Sequence, residues 1–416
     1  MQNWQIKASL FLNYFVFAIL LNSVGTVILQ VQNSYGVSPA SASVLEAFKD
    51  LSIAIVSFFV SFFITRWGYR NAMLLALGLV ALVCFVIPSI PTFWATKLLF
   101  AAVGTSFALI KMSVFGTIGL VTSDEKAHIS LMNFIESFFM VGIFAGYFLF
   151  SAFVDDADLS STTWLRVYYP LGGLSLAAFV LLFTARLDET EARGAVSGSF
   201  LEGLLANLAQ MFKLMAVPLV LVFVLCAFFY VLIEQSIMSW LPTYNQEVLR
   251  LPTSLSIQMA SILAGSTALG RFLAGLVLKQ FKWHQVLSGC LLLAAGLVLL
   301  AIPLASKVNP AAITGWGNAP LAAFVFPFIG LLLAPIYPAI NSLILSSLPK
   351  HQHGLMSGLI IIFSALGGTT GSIITGNIFG RMGGQTAFYF SLIPIGILLV
   401  GLFFFKKLQE RALTAT

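Results

Sequence analysis

Lys111 and Glu136 each stand near the middle of a long apolar stretch, a setting in which an ion must face a partner or water. The lysine offers an ammonium to a hydroxyl or an anion, and the glutamate a carboxylate whose proton affinity changes between wet and dry surroundings. Bridged to each other they would be neutral. A buried pair adds little net stability, which fits a switch better than a staple. Glu136 is therefore expected to carry a proton, and its protonation to release Lys111 for a ligand. Glu46, Lys49 and Asp50 form a second charged set, in which spacings of three and four put Glu46 on one helical face with both others. Asp50 is a further proton-carrying candidate. Glu46 and Lys49 read as a gating pair or a solvated mouth near the outer side.

A third set mixes polar groups with aromatic faces. In YVLIEQSIMSWLPTY, Glu234 and Gln235 precede Trp240. Rings stack on the C–H faces of sugars, while carboxylates and amides hydrogen-bond hydroxyls. Trp240 and Tyr244 have the alternative role of interfacial belt residues. Tyr337 and Asn341, four apart and so on one face, sit beside Pro335 and Pro338, which break regular hydrogen bonding. Irregular backbone at that depth is expected to line a cavity. Asn22 joins Lys111, Glu234, Gln235, Trp240, Tyr337 and Asn341 as a substrate-binding candidate. Arg271 is expected to snorkel toward the cytoplasmic side and brace a gate, and Arg66 and Arg70 at the cytoplasmic end are further gating candidates. Ser364 and Thr369 are weaker candidates, since small residues more often permit close helix packing. Cys84, Cys226 and Cys290 lie singly in apolar runs, and the four histidines lie in polar connections. No disulfide, metal or other cofactor is expected.

The elements that position these residues follow from composition. Of 416 residues, 59% are apolar and 9% are charged, against about 25% charged in soluble domains. A water-soluble enzyme and a disordered chain are both excluded. No nucleophile–base pair, metal-ligand set or phosphate-binding glycine loop stands out, so an enzyme is not expected. The net charge of +6 is dispersed singly between apolar runs, which excludes a nucleic-acid partner. The lipid bilayer is the expected solvent. A span takes roughly 20 helical residues, and twelve fit: near 8–30, 42–65, 71–90, 93–121, 128–153 and 164–186, then 214–242, 254–280, 283–305, 319–348, 354–380 and 385–405. No cleavage site of the signal-peptide kind follows the first span, so it is expected to be retained.

With the N-terminus cytoplasmic, thirteen of the lysines and arginines fall on the cytoplasmic side and Arg166, Arg250, Lys307 and Arg381 on the outer side. The acidic Asp155, Asp156 and Asp158 cluster is also outside. This positive-inside bias predicts a multi-pass protein of the cytoplasmic (inner) membrane with both termini cytoplasmic. Lys49, Lys97, Lys111 and Arg271 lie within spans. Between the halves, Leu201, Leu204, Leu205 and Leu208 recur at helical spacing and predict an interfacial amphipathic helix. Three regions result: an N-terminal six-helix half over 1–186, a cytoplasmic linker over 187–213, and a C-terminal six-helix half over 214–416.

The halves echo each other. Gly104 precedes Lys111 by seven residues, as Gly330 precedes Tyr337, and a later SLM at 130–132 matches GLM at 354–356. A basic turn follows both the second and the eighth span, TRWGYR at 65–70 and LKQFKWH at 278–284. Duplicated halves of this kind, each a pair of inverted three-helix repeats, belong to transporters with a midplane site.

RWGYR resembles a degenerate loop motif of the major facilitator superfamily, keeping the glycine and flanking bases and lacking the acidic residue, and GRFLAG at 270–275 is similar to the matching region of the second half. The resemblance runs from about Lys7 to Lys407. Residues 335–371, together with SWLPTY at 239–244, look like the fucose, glucose and galactose proton symporters, and the ESFF pattern at 136–139 is shared with TsgA-like transporters. The resemblance implies the twelve-helix all-α integral membrane fold of that superfamily and secondary transport of a small polar solute, a sugar or sugar-like compound, coupled to a proton or alternatively to sodium. The symporters' acidic residues on the first and fourth helices fall at Thr26 and Lys111 here, so their coupling scheme does not carry over. Lys111 also keeps open a small organic anion as substrate. Export of an amphipathic compound and a non-transporting membrane sensor are further alternatives. A monomer is expected.

Overall fold

The computed structural model describes residues 3–122, 125–185, 187–189, 200–305, 313, 315–349 and 352–414. Among them the regular structure is helical, without strands. The first half contains α1 (Asn3–Asn22), α2 (Val24–Tyr35), α3 (Pro39–Ala42), α4 (Val44–Trp67), α5 (Tyr69–Val86), α6 (Phe93–Val121), α7 (Glu125–Ser151) and α8 (Tyr168–Thr184). After α9 (Phe200–Met215) come α10 (Pro218–Met238), α11 (Leu241–Glu247), α12 (Thr253–Val277) and α13 (Trp283–Ala305). The chain ends with α14 (Leu321–Val325), α15 (Ile329–Leu333), α16 (Ile336–Ser346), α17 (His353–Met382), α18 (Gly384–Tyr389) and α19 (Leu392–Thr414). Among the described residues, eleven stretches are long and apolar enough to cross a membrane. The 24-residue α4 carries Glu46, Lys49, Asp50 and Arg66.

Local chemistry sets the ends and breaks. The Thr92 hydroxyl accepts the Ala95 N–H at 3.2 Å and caps α6, and Gly36, at φ 61°, closes α2 in the left-handed region that glycine tolerates. The expected first span, 8–30, is longer, running from Asn3 to Tyr35 with a one-residue break at Ser23, whose hydroxyl donates to the Leu20 carbonyl. The expected helix over 319–348 comes in pieces, because Pro327 and Pro335 lack the N–H that would continue it. In the linker α9 is present; Met211 and Leu214 are buried and Leu208 is half-buried, while the side chains of Leu201, Leu204 and Leu205 lie outside those described.

The chain divides into two units, Met1–Val37 with Leu45–Phe200, and Ser38–Val44 with Leu201–Thr416. In the first, α1 packs on α7 and α8, and α5 on α6 and α8. In the second, α10 packs on α17 and α19, α12 on α15, and α13 on α15 and α19. The internal repeat is visible in the glycines that permit these contacts. A Cβ at Gly104 of α6 would strike the Lys49 carbonyl of α4, and one at Gly330 of α15 would meet the Leu263 carbonyl of α12 at 2.7 Å. Gly142 of α7 likewise lies on the Phe15 carbonyl of α1, and Gly367 of α17 on the Phe228 carbonyl of α10. The same pairs of spans meet at glycine in each half.

Candidate functional site

In the first unit, α6 carries Lys111 and α7 carries Glu136, and both side chains are exposed. Ions on a membrane-spanning helix are tolerated where they face water or each other. Glu136 acts electrostatically on both Lys111 and Tyr14 of α1. Around them stands an aromatic wall: the Lys111 ammonium is 5.9 Å from the centre of the Phe107 ring, and Phe139 lies 6.2 Å from Phe107 and 5.7 Å from Tyr14. The Tyr14 ring is buried, and its hydroxyl has no hydrogen-bond partner among the described residues. Such a wall can hold the apolar faces of a solute while the two charges address its polar groups.

Farther along α1, the Asn22 amide donates to the Ala18 carbonyl at 2.8 Å. Asn22, Thr26 and Tyr147 share a narrow cleft between the first span and α7. The charged set of α4 lies close to it, since Tyr147 feels the charge of Lys49. Lys49 contacts the Glu46 carboxylate directly and lies 3.4 Å from Asp50 Oδ1. Glu46, Lys49 and Asp50 are 0%, 5% and 8% exposed, so the triad is an internal group and not a solvated mouth. The fourth base within a span, Lys97, lies over the rings of Phe93 (4.4 Å), Trp94 (4.8 Å) and Phe48 (5.9 Å), cation–π contacts that account for it.

In the second unit, Tyr230 and Glu234 stand one turn apart on α10, and the tyrosine hydroxyl donates to Glu234 Oε1 at 2.9 Å. The Tyr230 ring stacks on Tyr337 with centres 5.4 Å apart, and the Tyr337 hydroxyl meets Ser364 Oγ of α17 at 2.8 Å. Asn341, one turn beyond Tyr337, presents a buried Oδ1 with no hydrogen-bond partner among the described residues. Arg271 is exposed and acts electrostatically on Tyr230. Glu234, Tyr337 and Asn341 thus come together as a polar cluster with a stacked aromatic pair. Tyr230 was missed in the sequence; its signal was the spacing of four to Glu234.

Trp240 and Gln235 belong to a different environment. Trp240 is fully buried, donates Nε1 to Ser372 Oγ at 3.2 Å and lies 5.4 Å from the Phe379 ring. Tyr244 is equally buried against Phe388 and Phe326. These rings pack helices together and form no interfacial belt. Gln235 accepts the Ser239 hydroxyl at 3.3 Å.

Arg70 is tied to the end of α8. Its guanidinium donates to the carbonyls of Leu182 (3.2 Å), Ala185 (3.1 Å) and Phe183 (2.6 Å), groups that a helix end leaves unsatisfied. Its backbone N–H donates to Glu189 Oε1 at 2.6 Å, and the same carboxylate occupies the space a Cβ would need at Gly68, where φ is 89°. The acidic residue that RWGYR lacks is therefore supplied by Glu189 from beyond α8, a pairing too distant in sequence to be anticipated. The Arg66 side chain lies outside those described. Among the described residues no group of histidine, cysteine, aspartate and glutamate is arranged to hold a metal ion.

Residues 10–372 match the model of the family described as Major Facilitator Superfamily. No curated protein matches. Among solved structures, a mutant of the nucleoside transporter NupG is 16% identical, with a TM-score of 0.72 over 97% of this chain and 99% of that one. A bacterial homologue of the human lysosomal transporter Spinster, inward-facing and occupied, is 14% identical, with a TM-score of 0.70 over 100% and 97%. A D-xylose-proton symporter is 14% identical, with a TM-score of 0.70 over 96% and 97%. At such identities the likeness is one of fold.

Proposed function

The chain belongs to the Major Facilitator Superfamily, and from that premise we propose that it is a secondary active transporter that moves a small polyhydroxylated solute, a sugar or sugar-like compound, across the cytoplasmic membrane by alternating access coupled to protons. The observation that carries this reading is the cluster of Tyr230, Glu234, Tyr337 and Ser364, where hydrogen-bonding groups flank a stacked aromatic pair. The half-buried Tyr337 ring, backed by the buried Tyr230, offers an edge or face for the C–H side of a sugar, and the carboxylate, hydroxyls and the open Asn341 acceptor offer partners for its hydroxyls. Lys111 and Glu136 supply the corresponding polar pair in the first unit. Two structural neighbours named for a pentose-containing nucleoside and for D-xylose support the same substrate class. The charge bias of the connections supports cytoplasmic termini, with each chain acting as a monomer.

A second reading follows from Lys111, whose exposed ammonium favours an anion such as a hexuronate or a hydroxy acid. Uptake into proteoliposomes under imposed proton or sodium gradients separates the two. Neutral sugars and nucleosides are expected to compete with one another and to be driven by an inward proton gradient. Uptake confined to carboxylates and abolished by Lys111→Ala would replace the sugar reading, and sodium-driven uptake at constant pH would replace proton coupling.

A further inference from the structure

We propose that Glu46, Lys49 and Asp50 form a one-proton site inside the first unit, with Asp50 as the carboxylate that takes up the coupling proton. The proposal deepens the transporter reading, and only the word coupling rests on it.

Charge counting motivates it. Two carboxylates share one ammonium, and all three residues are 8% exposed or less. With every group ionised, these three side chains together carry a net charge of minus one away from water, an arrangement with a large desolvation cost. One added proton makes the triad neutral. Lys49 is in direct contact with Glu46 and lies 3.4 Å from Asp50. The glutamate therefore holds the ammonium and the aspartate holds the spare charge. The step is simple proton addition: a hydronium proton bonds to an Asp50 carboxylate oxygen, the site goes from minus one to neutral, and release reverses it.

A second observation points to the same place. Tyr147 of α7 is 4% exposed and makes no side-chain hydrogen bond among the described residues, yet it faces Lys49 closely enough to feel its charge. It also lines the cleft it shares with Asn22 and Thr26. A buried phenol between a cleft and a charged triad is placed to pass the state of one to the other. The packing holds this register, because the backbone of α4 at Lys49 lies directly on Gly104 of α6. A further charged group facing α4 is Lys97 of α6, which lies over the rings of Phe48, Phe93 and Trp94. Glu136, the first expectation for a proton carrier, is exposed beside Lys111. There one carboxylate stands near one ammonium, whereas the triad sets two carboxylates against one.

Infrared difference spectroscopy of the full chain in lipid nanodiscs, titrated from alkaline to acid pH, reads the protonated carboxyl stretch without need of a solute. The wild type is expected to show one titrating buried carboxyl that Glu136→Gln leaves in place. Asp50→Asn and Glu46→Gln each leave one acid against Lys49, so each is expected to abolish the signal. Lys49→Gln removes the cation and is expected to add a second protonated carboxyl. Persistence of the signal in both Asp50→Asn and Glu46→Gln, or its loss in Glu136→Gln alone, overturns the proposal. D-Xylose and uridine counterflow on the same preparations keeps the two readings apart. A titrating triad with no counterflow of any sugar, nucleoside or carboxylate sinks the transporter reading alone, and counterflow with no titrating triad sinks the proton site alone.

Discussion

The close seating of α6 on α4 predicts that the smallest possible side chain is harmful at Gly104. An ideal Cβ there collides with the Lys49 carbonyl and lies 3.1 Å from Ser52 Cβ. The first obstacle is backbone, which cannot rotate away, so Gly104→Ala must push the helices apart. Overpacking of that kind costs about 1–3 kcal/mol. At an open helical site the same substitution gains roughly 0.5–1 kcal/mol from the lower backbone entropy of alanine. Gly275 of α12 is such a site, with nothing within 4 Å of its added Cβ. The difference between Gly104→Ala and Gly275→Ala is therefore expected to be about 1.5–4 kcal/mol. Gly330→Ala, blocked by the Leu263 carbonyl, should behave like Gly104→Ala, because the two glycines do the same work in each half. Unfolding midpoints followed by tryptophan fluorescence in detergent micelles measure all three. If Gly104→Ala and Gly330→Ala unfold at or above the midpoint of Gly275→Ala, the packing argument and the structural repeat drawn from it are both wrong.

Arg70→Ala removes three charged hydrogen bonds from the end of α8; because part of this site is exposed, the loss is expected to be about 1–3 kcal/mol. Arg70→Lys should recover only part of it, since an ammonium lacks the planar fork, and the same fluorescence midpoints report both. Trp240→Phe keeps the contact with Phe379 and deletes the bond to Ser372. It should cost about 0.5–1.5 kcal/mol while leaving the KM of the transported solute unchanged, and a large KM change would return Trp240 to the binding surface. Tyr230→Phe keeps the stack on Tyr337 and removes the hydroxyl's bond to Glu234, so it should cost about 1.5–3 kcal/mol, read from the unfolding midpoint, and raise KM in proteoliposome uptake.

The polar cluster of the second unit was partly legible in advance. Tyr337 and Asn341 announced themselves by their spacing and by the prolines beside them, and Glu234 by its charge in an apolar run. Trp240 reads as a stacking surface or a belt residue, and an indole serves equally well for packing; its bond to Ser372, 132 positions away, favours packing and lies beyond the reach of local sequence. The triad of α4 was legible as a set of neighbours on one face. Its burial was not, because that depends on Gly104 and Tyr147 from other helices.

By itself the sequence determined the solvent, the helical class and the pairing of two similar halves. These depend on composition and on periodicities that act over a few turns. It also determined which charges are exceptional, since an ion in an apolar run costs the same wherever the run is packed. The tertiary structure alone decided that Glu46, Lys49 and Asp50 are shut away from water, that Lys111 and Glu136 stand in the open, and that Glu189 completes the turn at Gly68. Exposure and partnership are properties of whichever helix packs alongside, and that neighbour is set by contacts between residues far apart in the chain.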